Sequence, residues 1–148
     1  MTTTPPLRRL LAERVAESRR AREAAAAEDQ PRPGVFTALN EETTIHFCTI
    51  GRKSGEQRDK WWIPYAGDGE TLYLIEEVGV QAQWVKNFLV YPGVEVWGKD
   101  GKVIHAKARL VIDETEDARA RRLVSSRFDA PDWELIANGT VVAFDRRT

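Results

Sequence analysis

The stretch Cys48-Thr-Ile-Gly-Arg-Lys-Ser-Gly55, followed closely by Arg58, decides how this chain is read. Residues 43–50 before it and 58–65 after it have the β-branched and aromatic character of strands. Between them lies a tight basic turn, Gly51-Arg52-Lys53-Ser54-Gly55. Its glycines open backbone angles closed to other residues and let the chain approach a ligand. Arg52 and Lys53 bring positive charge, Ser54 a hydroxyl, and the N–H groups of such a turn form an anion-sized concavity. Arg58 lies near enough to turn back on the same anion. Two readings stand side by side: a phosphate clamp at a hairpin end, or a solvated Gly-rich loop of the kind where Lys and Arg are common. The Walker spacing of Gly to Gly-Lys is missing, and no helix follows as a dinucleotide fingerprint requires.

At 148 residues the chain reads as one main domain, residues 35–148, preceded by a tail, helix and linker over residues 1–34. A net charge of -1 argues against nucleic acid as a partner. The single cysteine, Cys48, excludes an internal disulfide and fits a reducing, cytoplasmic setting. Met1 to Pro6 leads into Arg-rich sequence, so no secretory leader is expected, and no apolar run is long enough to span a bilayer.

Residues 7–28, rich in Ala, Arg, Glu and Leu, read as a helix with a short apolar stripe of Leu7, Leu10, Leu11 and Val15. That stripe is open to packing in the domain, to a second subunit or to peripheral contact with a membrane surface. Gln30-Pro-Arg-Pro-Gly34 ends the helix. Beyond it the pattern turns to period two. Strands are expected near residues 43–50, 58–66, 71–77, 93–98, 101–112 and 140–146, with hairpin loops at Ala66-Gly-Asp-Gly69 and around Asp100-Gly101. Helices are expected near residues 81–91, stopped by Pro92-Gly93, and 114–127, acidic at its start and basic at its end. Strands paired as hairpins with a few packed helices give a mainly β, α+β antiparallel barrel.

Little in the chain suggests protein-borne catalysis. His46 and His105 are the only histidines, and His46 with Cys48 supplies too few ligands for a metal, so none is expected. Cys48 sits among apolar residues and reads as buried. Glu76 and Glu77 end an apolar strand and are open to an acid–base role or to ordinary pairing. The basic turn runs into Trp61-Trp-Ile-Pro-Tyr65, and the next helix carries Trp84, Lys86, Asn87 and Tyr91. Charge beside flat apolar surface suits a ligand with an anionic tail and a ring, as flavin-type cofactors have, with the cofactor carrying the chemistry. Single-stranded nucleic acid also stacks on aromatics, but the neutral charge speaks against it.

The segment Cys48-Thr-Ile-Gly-Arg-Lys-Ser-Gly-Glu-Gln-Arg58 resembles the Thr-Thr-Gly-Arg-Lys-Ser-Gly-x-x-Arg signature of the deazaflavin (F420)-dependent nitroreductase family. The likeness continues through Trp84-Val-Lys-Asn87, Tyr91-Pro-Gly-Val-Glu-Val96 and Ala106-Lys-Ala-Arg109 to the closing strand at residues 140–144. It implies a split β-barrel of the FMN-binding, flavin-reductase type, coenzyme F420 as cofactor, hydride transfer to a small organic acceptor (a nitro compound, quinone or ene substrate), and a homodimer. By this resemblance Arg52, Lys53, Ser54 and Arg58 meet the cofactor's phosphate and tail. Asp59, Lys60, Trp61, Trp62 and Ile63 run along the cofactor. Ile75, Glu76, Glu77 and Val78, with Gln83, Trp84, Val85, Lys86 and Asn87, flank the ring.

The chain departs from that pattern after its third strand. Relatives carry roughly Ser-Lys-Gly-Gly, where this chain has Glu76-Glu77-Val78-Gly79. Two carboxylates oppose an anionic tail or an electron-rich ring. FMN in place of F420, or a non-catalytic barrel holding a flavin, lipid or other apolar anion, is the other reading. Glu77 is the candidate proton donor to the acceptor if held protonated. The family's C-terminal pocket tyrosines are missing, leaving Trp133 and Tyr65 as the aromatic candidates for the acceptor pocket, narrowed by Trp61 and Trp62.

Overall fold

The computed structural model describes residues 13–14, 30–53, 55, 57–60 as backbone, 63–128 and 134–147. The expected helix over residues 7–28, Ser54, Trp61, Trp62, Trp133 and the side chains of Arg58, Asp59 and Lys60 lie outside the described residues. The chain separates into two units, Met1–Gln30 and Pro31–Thr148, and all that follows concerns the second.

Among its described residues are seven strands: β1 (His46–Ile50), β2 (Gln57–Lys60), β3 (Tyr65–Asp68), β4 (Thr71–Glu76), β5 (Gly93–Trp97), β6 (Ile104–Leu110) and β7 (Thr140–Arg146). They form one antiparallel sheet in the order β2-β1-β5-β6-β7-β4-β3, a split β-barrel. Helix α1 (Gln83–Val90) follows β4, and α2 (Glu114–Phe128) and α3 (Glu134–Asn138) lie between β6 and β7.

Burial follows the side-chain pattern. β5 and β6 alternate, with Val94, Val96, Ala106 and Ala108 buried and Lys107 and His105 exposed, as a sheet with one wet face requires. β4 and β7 read as continuous apolar runs because both of their faces are covered. Leu72, Leu74, Val142 and Phe144 join the core inside the curl, whereas Tyr73, Ile75, Val141 and Ala143 join a second core with Ala120, Leu123, Val124 and Ile136 of α2 and α3. Within the curl, Phe47 meets Trp84 and Phe144 edge-on, with ring centroids 5.0 and 5.3 Å apart.

Asp113 caps α2 through a 2.8 Å bond from the Glu116 amide. From α2, Arg121 reaches the carbonyls of Ile136, Ala137 and Gly139 at 2.7, 3.0 and 2.7 Å, supplying donors to carbonyls at the end of α3. Asp68 is fully buried and paired with Arg119 at 3.0 Å. Burial alone would raise its carboxyl. The hydrogen bonds from Arg119 and from the Arg32 amide outweigh burial and hold it below the ordinary aspartate value.

The structure corrects several expected boundaries. The single strand over residues 58–66 is two strands with different partners: β2 pairs with β1, and β3 with β4. Pro64 lies between them, has no N–H to give a ladder, and accepts from Ile75 N at 3.1 Å. The loop expected at Ala66-Gly-Asp-Gly69 shrinks to Gly69 and Glu70, because Ala66 to Asp68 are drawn into β3. The long run at residues 101–112 yields a strand only over Ile104–Leu110. The helix expected from residue 81 begins as a 3-10 turn, Gly79–Gln81, before α1. The 3-10 turn Thr37–Glu41 and the short α3 were not anticipated.

Candidate functional site

The basic turn closes on itself by a 2.7 Å hydrogen bond from Gly55 N to Gly51 O, and Gly55 has a φ of 71°. Lys53 points into solvent, whereas Arg52 is partly buried. The reason lies on α1. Asn87 Oδ1 accepts the Arg52 backbone N–H at 3.2 Å and its Nη1 at 2.9 Å, while Gln83 Oε1 accepts Nη2 at 2.9 Å. Gln83 and Asn87 stand one turn apart, so their amides face the turn together.

The next residue of α1 joins it to the end of β4. Trp84 Nε1 donates to Glu76 Oε2 at 3.0 Å. Trp84 is only 5% exposed, so this bond is the outlet for an indole N–H that water barely reaches. Glu76 is therefore committed to the helix, while Glu77 and Val78 are exposed on the following turn.

The structure thus brings together Arg52, Gln83 and Asn87, and separately Glu76 and Trp84. Other expected site residues are elsewhere or turned inward. Val85, at 0% exposure, and Ile63 face the inner core, and Ile75 faces the second core, leaving only their backbone to a ligand. Lys86 is half-buried. Tyr65 is interior too: its hydroxyl donates to the carbonyls of Leu39 and Glu42 at 2.8 Å, and the Arg127 guanidinium lies 4.0 Å over its ring. Burial raises the Tyr65 phenol and lowers the Arg127 guanidinium from their ordinary values. This corrects the placing of Tyr65 in an acceptor pocket, since its polar end is spent on the fold.

Two features went unnoticed in the sequence. The Thr49 hydroxyl is fully buried with no hydrogen-bond partner among the described residues, on β1 just before the basic turn. Its only signal was a hydroxyl in an otherwise apolar run. A pocket of about 160 Å³ opens between β1, β5 and β6, lined by Cys48, Ile50, Gly93, Val94, Glu95, His105 and Arg147. It includes none of the residues expected to hold a cofactor.

The profile of the F420H(2)-dependent quinone reductase family matches residues 15–140. The chain belongs to that family. It is therefore an oxidoreductase, an F420-dependent reductase with F420 as its cofactor. A search of curated proteins finds no match. Among solved structures, the F420-H2 dependent reductase FDR-A is 22% identical, with a TM-score of 0.55 over 69% of this chain and 93% of that one. HutZ, the heme storage protein of Vibrio cholerae, is 15% identical, with a TM-score of 0.57 over 75% of this chain and 87% of that one. A domain-swapped dimer is 19% identical, with a TM-score of 0.56 over 88% of this chain and 98% of that one. At these identities the likeness is one of fold. Among the described residues no helix is long and apolar enough to cross a membrane.

The described residues of this quinone reductase family member fit an F420-type group in kind. An exposed lysine and a glycine-bounded turn stand at one end, a tryptophan-bearing helix beside them, and a buried hydroxyl without a partner lies just before the turn.

Proposed function

We propose that the chain passes hydride from reduced F420 to a small, flat, uncharged acceptor of the quinone or nitroaromatic type. The observation that carries this reading is the joining of the basic turn to the helix that bears Trp84, through Arg52, Gln83 and Asn87. Arg52, Lys53, Ser54 and Arg58 form the anchor for the cofactor's anionic tail. Gln83, Trp84, Asn87 and the backbone near Glu77 frame its ring. Reduced F420, when bound, supplies the hydride. The protein orients the two reactants and keeps water from between them.

The acidic pair bears on the acceptor. With Glu76 and Glu77 where relatives carry Ser-Lys, a carboxylate-bearing acceptor meets repulsion and a neutral one does not. Glu77, exposed on the turn that follows β4, is the candidate proton donor to the reduced acceptor, provided that it is held protonated there. Turnover that survives unchanged in Glu77→Gln removes that role. A cytoplasmic setting suits the single Cys48, and a homodimer suits the fold; sedimentation of the purified protein tests the latter.

The deciding experiment is equilibrium binding of F420, and separately of FMN, read by tryptophan quenching. Micromolar or tighter binding of F420 alone supports the proposal. Preference for FMN, or binding of neither, overturns the anchor and ring frame assigned above. Oxidation of F420H2 is then followed with neutral and carboxylated quinones, and the neutral ones are expected to react faster.

A further inference from the structure

We infer that Arg52 is a positioning residue: its guanidinium fixes the basic turn to α1, and the charge that meets the anion is supplied by its neighbour Lys53. This rests on the reading of the turn as the F420 anchor. Both terminal nitrogens of Arg52 are already engaged, Nη1 by Asn87 Oδ1 and Nη2 by Gln83 Oε1, each at 2.9 Å. The backbone N–H of the same residue also donates to Asn87 Oδ1, at 3.2 Å, making three bonds from Arg52 in all. Asn87 is 5% exposed, so its oxygen has little water to turn to. The acceptors are neutral amides one helical turn apart, and the planar fork of an arginine spans such a pair. A lysine ammonium carries the same charge but cannot. Lys53 stands next in the chain, exposed, and makes no ion pair among the described residues. The turn is therefore held in shape before any ligand arrives, which lowers the ordering cost of binding.

Charge and shape can be separated by substitution. F420 affinity is measured by fluorescence quenching at several salt concentrations for the wild type, Arg52→Lys, Gln83→Ala, the double variant and Lys53→Ala. Gln83 is exposed, so its removal leaves the core intact. If Arg52 positions the turn, Arg52→Lys weakens binding about tenfold although the charge is kept, as loss of hydrogen bonds to a charged group predicts. Gln83→Ala weakens binding in the same direction, and the double variant binds no worse than Arg52→Lys. The salt dependence stays that of the wild type in these three and becomes shallower only in Lys53→Ala. Wild-type affinity in Arg52→Lys, or strictly additive losses in the double variant, overturns the inference while leaving the anchor standing. Failure of the wild type to bind F420 overturns the anchor itself, and with it any role for Arg52 there.

Discussion

Glu76 shows what one side chain can decide. In sequence it looked like half of an acidic pair set against a cofactor, yet it accepts from the Trp84 indole at 3.0 Å. Removing the acceptor strands a nearly buried N–H. Glu76→Ala is expected to cost about 1–3 kcal/mol, and Glu76→Gln, which keeps an acceptor in place, much less. Urea unfolding midpoints compare the two, and equal losses would mean that the bond contributes little. The same contrast marks what was legible in the chain. Arg52 stood out as a cation between two glycines, but its partners did not, because Gln83 and Asn87 lie 31 and 35 residues away and only the folding of α1 onto β1 makes them neighbours. The Tyr65 ring, read as exposed aromatic surface, is likewise covered by an Arg127 that the fold brings from 62 residues on.

At the level of elements, hydrophobic period carried most of the reading. The alternation in β5 and β6 and the unbroken apolar runs of β4 and β7 are in the sequence, and so are the acids that open α2. Boundaries were blurred where a residue answers to a distant neighbour rather than to its own propensity. Pro64 cut one expected strand into two, and α3, five residues long, depends on Arg121 of another helix for its end. Gly67 is a further case. A Cβ there would come 1.9 Å from Phe36 O, so β3 and the 3-10 turn beside it touch backbone to backbone. Gly67→Ala must push them apart and is expected to cost about 3 kcal/mol, the upper end for overpacking. A thermal midpoint unchanged by this substitution would show that the turn gives way freely.

For the molecule as a whole, acid stability should be set by its buried and networked carboxylates. Asp68 in the fold lies below its ordinary value of 3.8. Glu116 is also lowered, first by its hydrogen bonds from Arg109, at 2.7 Å each. A carboxylate lowered by folding adds stability that is complete above its unfolded value and is lost as pH falls through its folded one. Thermal midpoints should hold on acidification to about pH 4 and then fall steeply. Asp68→Asn, which removes the buried carboxylate that Arg119 meets at 3.0 Å, should be less stable near neutrality and should converge on the wild type in acid. Parallel curves for the two proteins would place the acid sensitivity elsewhere.

The position of β7 has a consequence for how the protein is made. It pairs with β6 on one side and β4 on the other, and among the described residues it is the only strand that joins the β2-β1-β5-β6 and β4-β3 parts of the sheet. A chain leaving the ribosome offers two sheet fragments, each with a bare central edge, until Thr140–Arg146 has emerged to fill the gap. Nascent chains stalled short of that strand should therefore be the species that chaperones hold and that aggregates recruit, whereas the finished protein keeps neither edge open.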